Sequence, residues 1–197
     1  MLHVGVGTIA VSGGYSSTTG DHNLDSGSGV SIGGVTVELG TGVLTVLDAV
    51  TLTGTATLNA DGGIALQSTV DANTLGIEGL TMEAVGSTIT VSGAVGGSTR
   101  VGAVTVSDAT TTSFNAGVTA ASYTQAAGTT TTFSGAQDYT GNFDFTGSVL
   151  NVNNSLNATG TTNITNAGAF TKGATGSVSS AGGFTQDGAG ANSIGAD

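Results

Sequence analysis

The chain has 197 residues, enough for a sizeable core, yet only 8% of them are charged, against about 25% in an ordinary globular domain. Thirteen acids against two bases, Arg100 and Lys172, give a formal charge of −11. Without a basic patch to neutralise phosphates, this argues against nucleic acid and anionic membrane as partners. With no cysteine, there is neither a disulfide framework nor a thiolate metal site.

There are 35 Gly, as many Thr, no Pro and no Trp. Such a composition often marks a disordered tract that buries too little to offset chain entropy. Here the mean hydropathy is positive, and Val, Ile, Leu and Phe are spread evenly along the chain. That points to a folded chain. No run reaches the ~18 apolar residues of a membrane span.

The N-terminal "MLHVGVGTIAVSGG" has no basic region and only a broken apolar run, so it is not read as a signal peptide. "GGYSSTTGDHNLDSGSG" (13–29) has few apolar residues and reads as a loop or an atypical end coil. Residues 1–34 are therefore assigned to an irregular N-terminal coil or cap, and 35–197 to a repeat region. Within the first segment, Asp21, Asn23 and Asp25 place oxygens at alternate positions, as the start of a calcium loop does. Ser26 stands where that loop needs Gly, and no Glu follows at its twelfth position, so a solvated turn is the plainer reading. Gly29–Val30–Ser31–Ile32–Gly33 matches the nucleophile-elbow pattern. That pattern needs a strand–turn–helix corner and a later His, whereas His3 and His22 both precede Ser31. No catalytic residue and no cofactor is assigned.

From residue 35 on, period-two runs rich in β-branched residues follow one another: "VTVEL" (35–39), "VLTV" (43–46), "VTLTG" (50–54) and "TATLN" (55–59). "GLTME" (79–83), "STITVSG" (87–93), "AVTVS" (103–107), "VLNVN" (149–153) and "TNIT" (162–165) continue the series. The best helix candidate, 116–122, is interrupted by Gly117 and by β-branched residues. The fold class is all-β.

The runs echo one another. Thr88–Ile89–Thr90–Val91–Ser92–Gly93 has counterparts in Thr112–Ser113–Phe114–Asn115–Ala116 and Thr131–Thr132–Phe133–Ser134–Gly135. An aromatic-Thr-Gln unit followed ten residues on by a large apolar residue runs from Tyr123 to Phe133 and from Phe184 to Ile194. Phe170–Thr171–Lys172 leading to Val178 reads as a shortened copy. The successive anchors Val91, Phe114 and Phe133 are separated by about the length of one solenoid coil.

A β-sandwich would need hairpin turns, yet Asp61–Gly62 and Asp187–Gly188 are the only Asx-Gly pairs. A β-solenoid, with short parallel strands wound into coils of about 19–23 residues, accounts for the composition instead. Inward positions take one aliphatic or aromatic residue per short strand, corners take Gly, and Pro is unwelcome in the ladders. About nine coils would make a rod roughly 40–45 Å long.

Chemistry finds little footing. Glu38, Asp48, Asp61, Asp71, Glu78, Glu83 and Asp108 are scattered and read as solvated turn and edge positions. Asp138 and Asp144 form the closest carboxylate pair with nearby aromatics, but their spacing predicts no convergence. Arg100 and Lys172 read as isolated from acids. Thr-x-Thr copies at 88–90, 110–112 and 130–132 keep no single spacing, which argues against a repetitive ice-binding face. Asn153, Asn157 and Asn163 lie in sequons that matter only in a eukaryotic secretory setting.

The stretch "VSGAVGGSTRVGAVTVSDATTTSFNAGVTAASYTQ" (91–125) resembles the repetitive tracts of filamentous-haemagglutinin-like and autotransporter-like bacterial surface proteins. The likeness covers roughly 80–197. It implies a right-handed parallel β-helix, export to the cell surface, and an adhesive or scaffolding role. No secretion domain, membrane anchor or Arg-Gly-Asp accompanies it, and "GANSIGAD" at the end reads as the edge of a cut-out segment. The expected function is a non-catalytic segment of an extracellular fibre or surface protein. Its expected partners are neighbouring copies or further repeats of the same polypeptide. A carbohydrate- or ice-binding face on the same rod, with surface polysaccharide as a partner, is the alternative.

Overall fold

Alternating apolar and polar residues specify strands buried on one side, and such strands persist only where a like strand pairs beside them. A computed structural model of the chain describes residues 2–4 and 7–194, which form 24 strands and no helix. Every ladder pairing among them is parallel. The chain winds through about nine turns of a β-solenoid.

Three faces result. The first stacks Ile9–Val11, Val30–Ile32, Val50–Leu52 and Val70–Ala72, then passes through single bridges at Val95 to Val118. It continues with Gln137–Tyr139, Leu156–Ala158 and Val178–Ser180. The second runs from Tyr15–Ser17 through Thr36–Leu39, Ala56–Ala60 and the first half of Leu80–Val91 to Phe143–Gly147, Thr162–Asn166 and Phe184–Gln186. The third runs from Leu2–Val4 through His22–Ser26, Val43–Val46 and Gly63–Leu66 to Thr130–Phe133, Val149–Val152, Phe170–Lys172 and Asn192–Ile194. The long strands Leu80–Val91 and Val101–Phe114 each turn the corner from the second face to the third.

Two expectations change in detail. The segment 13–29, read as a loop or an atypical end coil, contains strands Tyr15–Ser17 and His22–Ser26, which pair parallel with Val37–Leu39 and Leu44–Val46, so it is a coil of the stack and not a loop. Backbone ladders can be continued by Ser, Asn and Asp as long as Leu24 still points inward, where it is buried. The coil length also ranges more widely than expected. Thr111 pairs with Thr130 across a short coil, whereas Ile64 pairs with Ile89 across a distinctly longer one. The extra residues leave the stack as a corner loop at 73–79, and a second loop at 96–100 lies against it through Gly76 N–H to Arg100 O at 2.8 Å.

Inside, like positions stack along the rod. The inward column of the third face reads Leu24, Val46, Leu66, Val91, Phe114, Phe133, Val152 and Lys172. The repeat anchors Val91, Phe114 and Phe133 are therefore one column. Early coils pack aliphatic groups and later ones pack rings. Phe114 stacks on Phe133 at 5.2 Å and Tyr123 on Phe143 at 5.0 Å, spacings that follow from coils about 4.8 Å apart.

The aromatic-Thr-Gln unit also finds its meaning. In Tyr123–Thr124–Gln125 the outer two side chains point inward, and the Tyr123 hydroxyl donates to Gln125 Oε1 at 2.7 Å. The Thr131 hydroxyl donates to the same oxygen at 2.8 Å. Phe184–Thr185–Gln186 occupies the same face, whereas Phe170–Thr171–Lys172 lies on the third face and is no copy. Lys172 sits inside at 8% exposure, and its Nζ donates to the Gly176 carbonyl at 2.7 Å.

Corners are built from glycine where successive backbones nearly touch. A Cβ on Gly42 would overlap the carbonyl oxygen of Gly20, so no other residue fits there without a shift. Acids serve these corners too. Asp21 Oδ1 accepts from Val43 N–H at 3.0 Å, Asp48 accepts from Ser26 N–H, and Asp71 Oδ1 accepts from Ser98 and Thr99 N–H at 2.8 and 3.0 Å. These carboxylates satisfy the backbone donors of Val43, Ser26, Ser98 and Thr99.

Candidate functional site

A solenoid offers two kinds of surface, its ends and its flat outer faces. At the N-terminal end, Val11, Tyr15, His22, Asn23, Leu24, Val37 and Leu44 line an apolar concavity of about 300 Å³. Tyr15 and His22 meet edge-on beside it, and the Tyr15 hydroxyl lies 2.7 Å from His22 Nδ1. At the other end, Phe184 is 44% exposed although its counterparts Phe143 and Thr162 in the same column are buried. Among the described residues, Ile9–Val11 and Val178–Ser180 each have a ladder partner on one side alone.

The outer faces differ in charge. On the second face one outward column reads Thr36, Thr57, Thr81, Thr105 and Thr124, an unbroken threonine ladder that passes into Asp144 and Asn163. Two residues along each strand, Glu38, Asn59 and Glu83 form the neighbouring column, which a one-residue bulge carries on to Asp108. Asn59 Nδ2 donates to Glu38 Oε2 at 2.9 Å. This face is acidic.

From Thr45 onward the third face carries no charge in its outward columns. They read Thr45, Ala65, Thr90, Ser113, Thr132, Asn151 and Thr171, with Thr88, Thr111, Thr130 and Val149 beside them. The copies at 88–90 and 130–132 lie in line with Thr111–Thr112–Ser113, whereas the copy at 110–112 is out of register, its Thr112 being buried inside. Their unequal spacing in the chain is absorbed at the corners. The copies at 88–90, 110–112 and 130–132 keep no single spacing, as expected, yet Thr88, Thr111 and Thr130 share one outward column.

The candidate calcium residues are not gathered around one point. Asp21 precedes, and Asn23 and Asp25 lie on, the extended strand His22–Ser26, where alternate residues are ~6.6 Å apart. Calcium ligands instead converge to about 2.3–2.6 Å from a single ion. Asp21 caps Val43, and Asn23 pairs in register with Thr45. Among the described residues, no group of three or more His, Asp or Glu side chains is placed to hold a metal ion.

Ser31 lies in the middle of Val30–Ile32 on the first face, on a strand rather than at an elbow. Asp138 is on a first-face strand and Asp144 on a second-face strand, both facing outward, so the pair does not converge. Arg100, expected to be isolated from acids, has its Nη2 3.7 Å from Asp138 Oδ2. Corner loop 96–100 carries it there, and sequence spacing holds no sign of that. Glu78, on the other corner loop, is buried, and its Oε2 accepts from Thr74 N–H at 2.8 Å. Burial pushes its carboxyl up, but hydrogen bonds from the Thr74 and Glu78 backbone and the Thr74 hydroxyl outweigh this and hold it below the ordinary range. Burial pushes the Tyr123 phenol up, and burial together with the charges of Tyr123 and Asp138 does the same to Tyr139.

Comparison with family models, with curated proteins and with solved structures finds no match to this chain.

Proposed function

We propose that the chain is a structural shaft: a non-catalytic segment of an extracellular fibre or surface protein that holds its neighbours in line and stacks end to end. The observation that carries this reading is the parallel pairing from coil to coil, which among the described residues leaves Ile9–Val11 and Val178–Ser180 with a ladder partner on one side alone. An added coil from a second copy would continue the same ladder, seating apolar groups on the concavity beside Leu24 and covering Phe184. The scattered acids support a non-catalytic role, since several cap backbone corners and the closest pair lies on two faces. The likeness of 80–197 to repetitive bacterial surface proteins supports an extracellular setting.

The charge of −11 opposes association at low salt, so assembly should strengthen as salt screens it. Light scattering and negative-stain microscopy across protein and salt concentration test this. Rods that lengthen with concentration are expected. A monodisperse monomer at millimolar protein and high salt would remove the stacking part of the proposal.

A further inference from the structure

The chain carries 13 acids, yet from Thr45 to Thr171 the third face bears none of them in its outward columns. That stretch spans seven coils, a length of about 30 Å at ~4.8 Å per coil. Its centre is regular in two directions. Thr88, Thr111 and Thr130 follow one another along the rod, and Thr90, Ser113 and Thr132 do so in the adjacent column.

The composition of the face decides what it fits. Small-molecule sites are concave, and a flat sheet face encloses nothing. A sugar chain is held by aromatic platforms and forked polar groups, but Phe114 and Phe133 point inward here and the central columns carry only single hydroxyls and methyls. Each such contact is weak, so affinity must come from many identical contacts made together. That requires a ligand that is itself rigid and periodic. Threonine is β-branched and stiff at χ1, and its strand backbone is fixed, so the array loses little freedom on binding. No ion has to shed its hydration shell, unlike Glu38 or Glu83 on the second face.

We propose that the third face, through Thr88, Thr90, Thr111, Ser113, Thr130 and Thr132, binds the surface of ice. The array presents hydroxyl and methyl groups at fixed repeats to an ordered water lattice, and it lies on the side of the rod, so it works whether or not the ends stack.

The test compares the wild type with Thr111→Lys on this face and Thr81→Lys on the second face, each checked for unchanged circular dichroism. Partition into slowly grown ice and the gap between freezing and melting points are measured. Wild type and Thr81→Lys should enter the ice and open a gap, and Thr111→Lys should lose most of both. If Thr111→Lys does not fold, Ser113→Lys takes its place. Exclusion of the wild type from ice, or equal loss in both variants, overturns the proposal. So does wild-type retention on insoluble chitin or cellulose without entry into ice, which would assign the face to a polysaccharide. A side-by-side dimer broken by Thr111→Lys, again without entry into ice, would assign it to a second copy.

Discussion

Phe114 and Phe133 lie one coil apart along the chain but are neighbours in one column, their rings stacked at 5.2 Å with an interplanar angle of 17°. Both are fully buried, and Tyr123 meets the Phe133 ring edge-on at 5.2 Å. Phe133→Ala should cost about 3–5 kcal/mol, the range for emptying a buried aromatic site. Because a solenoid is stabilised by contacts between adjacent coils, the loss should loosen the coils on both sides. Urea melts would read it, and a variant as stable as wild type would contradict the shared column.

Gly42 gives a steric test of the corners. Gly42→Ala sets a Cβ against the Gly20 carbonyl oxygen, which forces a backbone shift costing about 1–3 kcal/mol. Gly13→Ala meets nothing within 4 Å and should change stability by no more than about 0.5 kcal/mol. Similar losses at both positions would mean that the coils are not in close contact at Gly42.

The interior polar cluster gives a third. Gln125→Leu strands the Tyr123 and Thr131 hydroxyls without their acceptor and should cost about 1–3 kcal/mol. Tyr123→Phe removes one donor while Thr131 still serves Gln125, so a loss nearer about 1 kcal/mol is expected. Thermal denaturation of the two variants checks the order.

Glu78 predicts a pH dependence. Its folded value lies below the ordinary 4.5, so its stabilisation is complete above pH 4.5 and is lost as pH falls through the folded value. The difference in melting temperature between wild type and Glu78→Gln should therefore be present at neutral pH and close in strong acid. A difference that widens on acidification would reverse the sign of the Glu78 contribution.

The Arg100–Asp138 pair sets a lower bound. At 3.7 Å, with both side chains in contact with solvent, Asp138→Asn should change stability by about 0–1 kcal/mol, and salt should erase the effect. Chemical denaturation at low and high ionic strength measures it.

The class of fold is legible in the sequence because period-two runs, glycine and the lack of proline act locally, within a short stretch of chain. The anchors Val91, Phe114 and Phe133 are legible as one column because each ends a similar short run. Register between faces is not legible, since corner insertions such as 73–79 change the count of residues without changing which strands stack. For that reason the alignment of Thr88, Thr111 and Thr130 and the pairing of Arg100 with Asp138 emerge only from the structure. The strand His22–Ser26 is hidden because its polar residues leave only Leu24 as an apolar signal.

Leu75 and Ile77 stand 67% exposed on a loop that leaves the rod at one corner and returns, after which Leu80–Met82 pair in register with Ala56–Leu58 on one side and Val104–Val106 on the other. Length is therefore decoupled from alignment in this architecture. Residues can be gained or lost at such a bend while every outward column keeps its place, which makes the 73–79 bend a natural point for grafting a foreign peptide onto an otherwise unchanged scaffold.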